Sequence, residues 1–98
     1  MPFTIEELEE KIIPVAKTYG VTRVSLFGSY ARGEANAASD VDILINKGRL
    51  NGLIQYFSFV QELEDLLGCH VDVVTNGIQD KNFLENIKRE EILLYDDK

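Results

Sequence analysis

Asp40 and Asp42 stand two residues apart at the head of DVDILIN (residues 40–46), an aliphatic and β-branched run that predicts a strand. Side chains alternate along a strand, so both carboxylates project to one face while Val41, Ile43 and Ile45 point to the other. At ~3.3 Å rise per residue their Cα atoms lie about 6.6 Å apart, which suits two carboxylates sharing hard cations spaced ~3.5–4 Å. Alone, such a pair reads better as a charged strand end or turn cap, because neighbouring carboxylates repel unless cations or donors compensate. Gly28-Ser29 changes that balance. A strand ending in Gly, with Ser opening a helical turn, presents unpaired backbone N–H groups and a hydroxyl to a phosphate, and Gly28 permits close approach to the backbone. Residues 28–33 match the first half of a Walker A loop, but Glu34-Ala35 stands where Lys-Ser/Thr is required, so a P-loop is rejected. Asp72 is the third element. In HVDVV it alternates with Val71 and Val73 and faces away from the core. If its strand lies beside residues 40–46, Asp72 joins the other two carboxylates, and its hydrophobic flanks suggest a central strand with a partner for the acid.

The elements that must hold these residues follow from periodicity. Thr4 and Glu7 form a capping-box pattern, followed by apolar residues at Ile5, Leu8, Ile12, Val15/Ala16 and Tyr19, with a kink or restart at Pro14 and a stop at Gly20. Residues 21–27 predict a strand, 29–33 a helical turn, 34–39 a loop and 40–46 a strand. A helix over 52–67 places Leu53, Phe57, Val60 and Leu63/Leu67 on one inward face, and Gly68 stops it. Residues 69–75 form a third strand closed by Asn76-Gly77. A last helix starts at an Asp80 cap with Phe83, Leu84 and Ile87 inward, and residues 91–95 either extend that helix or add a short edge strand, the strand being favoured. The alternation gives an α/β (α+β) fold, a small mixed β-sheet flanked by helices, within a single domain over residues 1–98.

The chain has 98 residues and carries 10 Lys+Arg against 17 Asp+Glu, a net charge of −7. That balance argues against direct nucleic-acid or membrane-surface binding, which needs surplus cations, but leaves room for a metal-bridged phosphate. One Cys and one His exclude an internal disulfide and a Cys/His zinc site, in keeping with a cytoplasmic location. No secretory signal and no spanning segment are expected. The acidic run of Glu6, Glu7, Glu9 and Glu10 is a solvated helix face. Arg32 either touches phosphate or pairs with Glu34. His70 shares strand parity with Asp72, Cys69 is a packed residue, and Lys47 and Arg49 belong to a solvated turn unless they guide phosphates.

Gly28-Ser29, ten residues, then Asp40-Val41-Asp42 resembles the G-S-x10-D-x-D signature of the DNA polymerase β-like nucleotidyltransferase superfamily. LFGSYARG (26–33) and SDVDIL (39–44) look like its minimal nucleotidyltransferase branch. Asp72 occupies the place of that family's third carboxylate, and NIKREEILLY is similar to its closing segment. The resemblance implies a polymerase β-like fold in which Asp40, Asp42 and Asp72 are catalytic and bind two Mg²⁺ with ATP. Gly28, Ser29 and Arg32 belong to the nucleotide site, with Gly28 and Ser29 holding the β and γ phosphates. It further implies an antitoxin of the kind paired with a HEPN-type helical ribonuclease toxin, adenylylating a tyrosine of that toxin. A core this small would borrow its acceptor from a partner. Two other readings stay open: a binding module that masks its partner without catalysis, and a small-molecule nucleotidyltransferase working with a separate substrate-binding subunit.

Overall fold

The computed structural model describes residues 3–75 and 80–97. Eight elements follow in the order α1 (Ile5–Tyr19), β1 (Arg23–Phe27), α2 (Ser29–Arg32), β2 (Val41–Asn46), α3 (Gly52–Leu67), β3 (Val71–Thr75), α4 (Lys81–Glu90) and β4 (Ile92–Asp96). The expected α–β alternation holds throughout, and residues 92–96 are indeed a strand. The turn expected at Asn76-Gly77 lies outside the described residues.

Thr4 caps α1 as its sequence predicts: Glu7 N–H donates to Thr4 Oγ1 at 3.1 Å and Thr4 N–H to Glu7 Oε1 at 2.9 Å. Of the kink or restart expected at Pro14, the restart does not occur: α1 runs through the proline as one helix. The N–H that Pro14 lacks would have bonded Glu10, and both residues are exposed, so water can satisfy the freed carbonyl. Gly20 ends the helix in the left-handed conformation, φ 75°.

The four strands form one mixed sheet in the order β3-β2-β1-β4. β1 pairs antiparallel with β2 and β4, while β2 and β3, joined through α3, run parallel. The sheet order places β3 at an edge, not in the centre as its hydrophobic flanks suggest. Among the described residues no strand pairs with its outer side.

One face of the sheet packs under α1 and α3, where Leu8, Ile12, Phe59 and Leu63 meet Val24, Leu26, Val41, Ile43 and Ile45. The opposite face carries Phe27 and Leu44 beneath Ile87 of α4, with Leu84 alongside. Burial of side chains this size contributes ~1.5–3 kcal/mol each, so these two layers hold the sheet rigid beneath its end residues. The inward face of α3 holds as predicted at Leu63 and Leu67, which are buried, and at Val60, which packs against the core, but Phe59 is buried in place of Leu53 and Phe57. Leu53, Ile54 and Phe57 are 73%, 85% and 62% exposed. Tyr56 fixes the rotation of the helix, its hydroxyl donating to Val73 O at 3.1 Å.

Candidate active site

β1 ends at Phe27, opposite Asp42 of β2. The next residue, Gly28, has φ 74° and ψ −153°, a conformation open in practice only to glycine. Its missing side chain matters a second time. A Cβ there would collide with Asp42 Oδ2 and stand 3.0 Å from Asp42 Cγ. The Asp42 carboxylate thus lies directly against the Gly28 backbone. Beyond Gly28, α2 forms a single turn, with Arg32 N–H donating to Gly28 O at 3.1 Å and Glu34 N–H to Ser29 O at 2.9 Å.

Asp40 lies just before β2, at the end of a loop braced by Asn36, whose Oδ1 accepts the Ala38 N–H at 2.8 Å. Val41 N–H donates to His70 O at 3.0 Å, which fixes the heads of β2 and β3 side by side. In that parallel register Asp42 is level with Asp72. The adjacency supposed for Asp72 is therefore the observed one. A donor atom from each of Asp40, His70 and Asp72 falls within 4.8 Å of the others. His70 bridges two acids, with Nε2 2.8 Å from Asp72 Oδ1 and Nδ1 2.9 Å from Glu64 Oε2. The same Glu64 oxygen accepts the Val71 N–H at 3.1 Å.

The electrostatics reflect this crowding. Burial, followed by hydrogen bonding with Asp72 and the charges of Asp72 and Asp40, pushes the Asp42 carboxyl up to about 6. Hydrogen bonding to Asp72 and its charge raise His70. Three carboxylates facing one another, one of them resisting ionisation, are an oxygen-rich donor set short of positive charge. Hard divalent cations such as Mg²⁺ fit that chemistry.

A cleft of ≈ 500 Å³ opens beside these groups. Gly28, Ser29, Arg32, Asp40 and Asp42 line one side, and Phe83, Asn86 and Glu90 of α4 line the other. Asp72, on β3, is not among the lining residues but stands level with Asp42, which is. A second cleft of ≈ 410 Å³, near Lys17, Tyr19 and Arg49, is lined by no carboxylate.

One expectation needs correction. The Gly28 N–H is not free, because it donates to Glu90 Oε1 at 3.0 Å. Of the two contacts open to Arg32, the pairing with Glu34 is present, at 2.8 Å, and Glu90 adds a second at 3.3 Å. Lys47 and Arg49 follow the far end of β2 and take no part in the site; Arg49 N–H closes a turn onto Gly20 O at 2.9 Å. Cys69 packs half-buried against the core. Sequence reasoning missed Glu64 and Glu90, which look like ordinary surface acids on helices. Phe83 was expected inward, but it sits at the cleft, edge-on to Phe27 with ring centroids 6.4 Å apart.

A family model described as polymerase beta, nucleotidyltransferase, matches residues 10–98. The chain belongs to the polymerase β nucleotidyltransferase family. It is thus an enzyme of the nucleotidyltransferase class. Among its relatives is the protein adenylyltransferase MntA of Thermococcus cleftensis, 35% identical over 91 residues that cover 89% of this chain and 92% of the relative. A solved structure assigned as a minimal nucleotidyltransferase superposes with a TM-score of 0.77 at 33% identity, covering 92% of this chain and 95% of that one. The fold also matches a chain from a complex of tri-AMPylated Shewanella oneidensis HEPN toxin with MNT antitoxin. There the TM-score is 0.73 at 21% identity, with 95% and 73% coverage. The four-stranded mixed sheet with four helices is thus the nucleotidyltransferase core of this family.

Proposed function

We propose that this nucleotidyltransferase is a protein adenylyltransferase antitoxin, moving AMP from ATP to a tyrosine hydroxyl of a HEPN-type ribonuclease toxin. The observation that carries the reading is the convergence of Asp40, Asp42 and Asp72 beside Gly28-Ser29. Its similarity to the Thermococcus adenylyltransferase supports the transferred group, and the Shewanella complex supports the kind of partner.

In this reading Asp40, Asp42 and Asp72 hold Mg²⁺, which when bound supplies the positive charge that offsets the triphosphate and the leaving pyrophosphate. Ser29, which opens α2 and lines the cleft, offers its hydroxyl and backbone N–H to the β and γ phosphates. Asp42, pressed against Gly28, joins the phosphate side of the cleft to the carboxylate side. Asp72 is exposed at the edge strand, open to a hydroxyl on another protein. It accepts the tyrosine proton as the phenolic oxygen bonds the α-phosphorus and the bond to pyrophosphate breaks. His70 and Glu64 hold the Asp72 side chain in place for that transfer.

The deciding experiment is mass spectrometry of the partner toxin after incubation with this protein, ATP and Mg²⁺. The toxin should gain mass in AMP units, and Asp72→Asn should bind both ATP and toxin while adding nothing. If Asp72→Asn protects cells fully and wild-type protein leaves the toxin's mass unchanged, neutralisation is by masking and the transferase reading fails.

A further inference from the structure

Glu90, the last residue of α4, places its carboxylate inside the proposed phosphate cradle. Oε1 accepts the Gly28 N–H at 3.0 Å, and both of its oxygens lie 3.3 Å from Arg32 Nη1. A backbone N–H at a positive-φ glycine and a guanidinium are the donors an anionic phosphate seeks, and here a carboxylate holds both. The site already concentrates three acids, so a fourth is costly unless those donors neutralise it.

We infer that Glu90 competes with a phosphate group for the Gly28 N–H and Arg32 and thereby sets the affinity for nucleotide. This rests on the reading of Gly28-Ser29 as the phosphate cradle. The incoming triphosphate takes the Gly28 N–H and Arg32 from Glu90, because one N–H does not serve two anions at full strength. Release is geometrically simple. The Glu90 side chain is 30% exposed and can swing into water, while Arg32 stays anchored by Glu34 at 2.8 Å. Since Glu90 ends α4 and β4 begins two residues later, nucleotide arrival is felt at the α4–β4 joint.

The test is calorimetric titration of ATP with Mg²⁺, without acceptor, into wild type, Glu90→Gln, Glu90→Ala and Ser29→Ala. Glutamine keeps an oxygen for the Gly28 N–H, so the end of α4 stays docked, but it carries no charge to compete or repel. Glu90→Gln should bind about tenfold more tightly, the order expected for one net hydrogen bond plus a partly exposed ion pair no longer opposing the ligand. Glu90→Ala should bind at least as tightly, and Mg²⁺–pyrophosphate should show the same gain. A gain in affinity is a readout that structural damage does not produce. Equal or weaker binding in both Glu90 variants overturns the inference. If Ser29→Ala weakens binding while neither Glu90 variant tightens it, the Glu90 role fails and the cradle stands. If Ser29→Ala leaves affinity unchanged, the cradle is misassigned and the inference goes with it.

Discussion

Gly28→Ala is the substitution whose cost can be worked most directly from the structure. Its backbone, at φ 74° and ψ −153°, is a region where a Cβ costs roughly 1–3 kcal/mol. That Cβ would also collide with Asp42 Oδ2, 3.0 Å from Cγ and 3.3 Å from Cβ of the same side chain. Overpacking of this kind costs ~1–3 kcal/mol, and Asp42 can relieve part of it by turning away, so the combined loss should be about 2–4 kcal/mol. A domain of this size holds roughly 5–15 kcal/mol in all, so the variant should still fold at 25 °C. Its melting temperature should drop by roughly 10–25 °C. The displaced Asp42 should reduce nucleotidyl transfer by ~10²-fold, the penalty for a reacting group out of place by about an ångström. Thermal melts of Gly28→Ala, Asp42→Ala and the double variant form a cycle that isolates the contact. With Asp42 cut back to its Cβ, the collision with Oδ2 and Cγ is gone and Gly28→Ala should lose the backbone strain and the 3.3 Å approach to that Cβ, giving a coupling of ~1–2 kcal/mol. Additivity within ~0.5 kcal/mol, together with full transfer by Gly28→Ala, would refute the reasoning that Asp42 rests on Gly28.

Asp42 also predicts a pH dependence. The folded carboxyl titrates near about 6 against an ordinary 3.8, so between those values the native state binds more protons and stability falls as pH rises. Asp42→Asn in chelator should therefore melt higher than wild type at pH 7, with the difference shrinking towards pH 4; parallel curves across that range would contradict the shift. Phe59, fully buried between α1, α3 and the sheet, should cost ~3–5 kcal/mol as Phe59→Ala. Phe57→Ala, at 62% exposure, should stay within ~0.5 kcal/mol by denaturant titration, and a large loss there would mean that α3 is rotated from the face described. Thr4→Ala should remove the α1 cap at a cost of ~1 kcal/mol, read as a lower denaturation midpoint with unchanged slope.

The legible parts of the fold were those written in local chemistry. Gly20, Gly28 and Gly68 punctuate elements because each adopts positive φ, and the bounds of α3 between Asn51 and Gly68 follow from the same signal. The Asp40, Asp42 and Gly28-Ser29 grouping was legible because strand alternation and a short loop suffice to bring them to one cleft. Asp72 needed one long-range assumption, the β2–β3 adjacency, which holds, while its central position did not, since strand order is set by tertiary pairing. The buried face of α3 was read correctly at Leu63 and Leu67 but misread in its first turns, because Leu53 and Phe57 are as apolar as Phe59, and hydrophobicity does not tell which side meets α1. Glu64 and Glu90 were invisible for the opposite reason. An acid on a helix is ordinarily solvated, and only closure of α3 and α4 onto the sheet turns these two inward.

The position of β3 at the sheet edge bears on solubility. Among the described residues its one neighbour in the sheet is β2, and its sequence, VDVVT, is short and β-branched, the composition that invites another strand to add on. Asp72 is the only charge within that run, with His70 immediately before it. A charged side chain on an open edge discourages pairing between molecules, so the carboxylate proposed for proton transfer also serves as a gatekeeper against self-association. Replacing it with asparagine therefore removes two things at once. Asp72→Asn preparations should show more dimers and aggregates by light scattering than Asp40→Asn preparations at the same concentration, although both lose one acid from the same cluster.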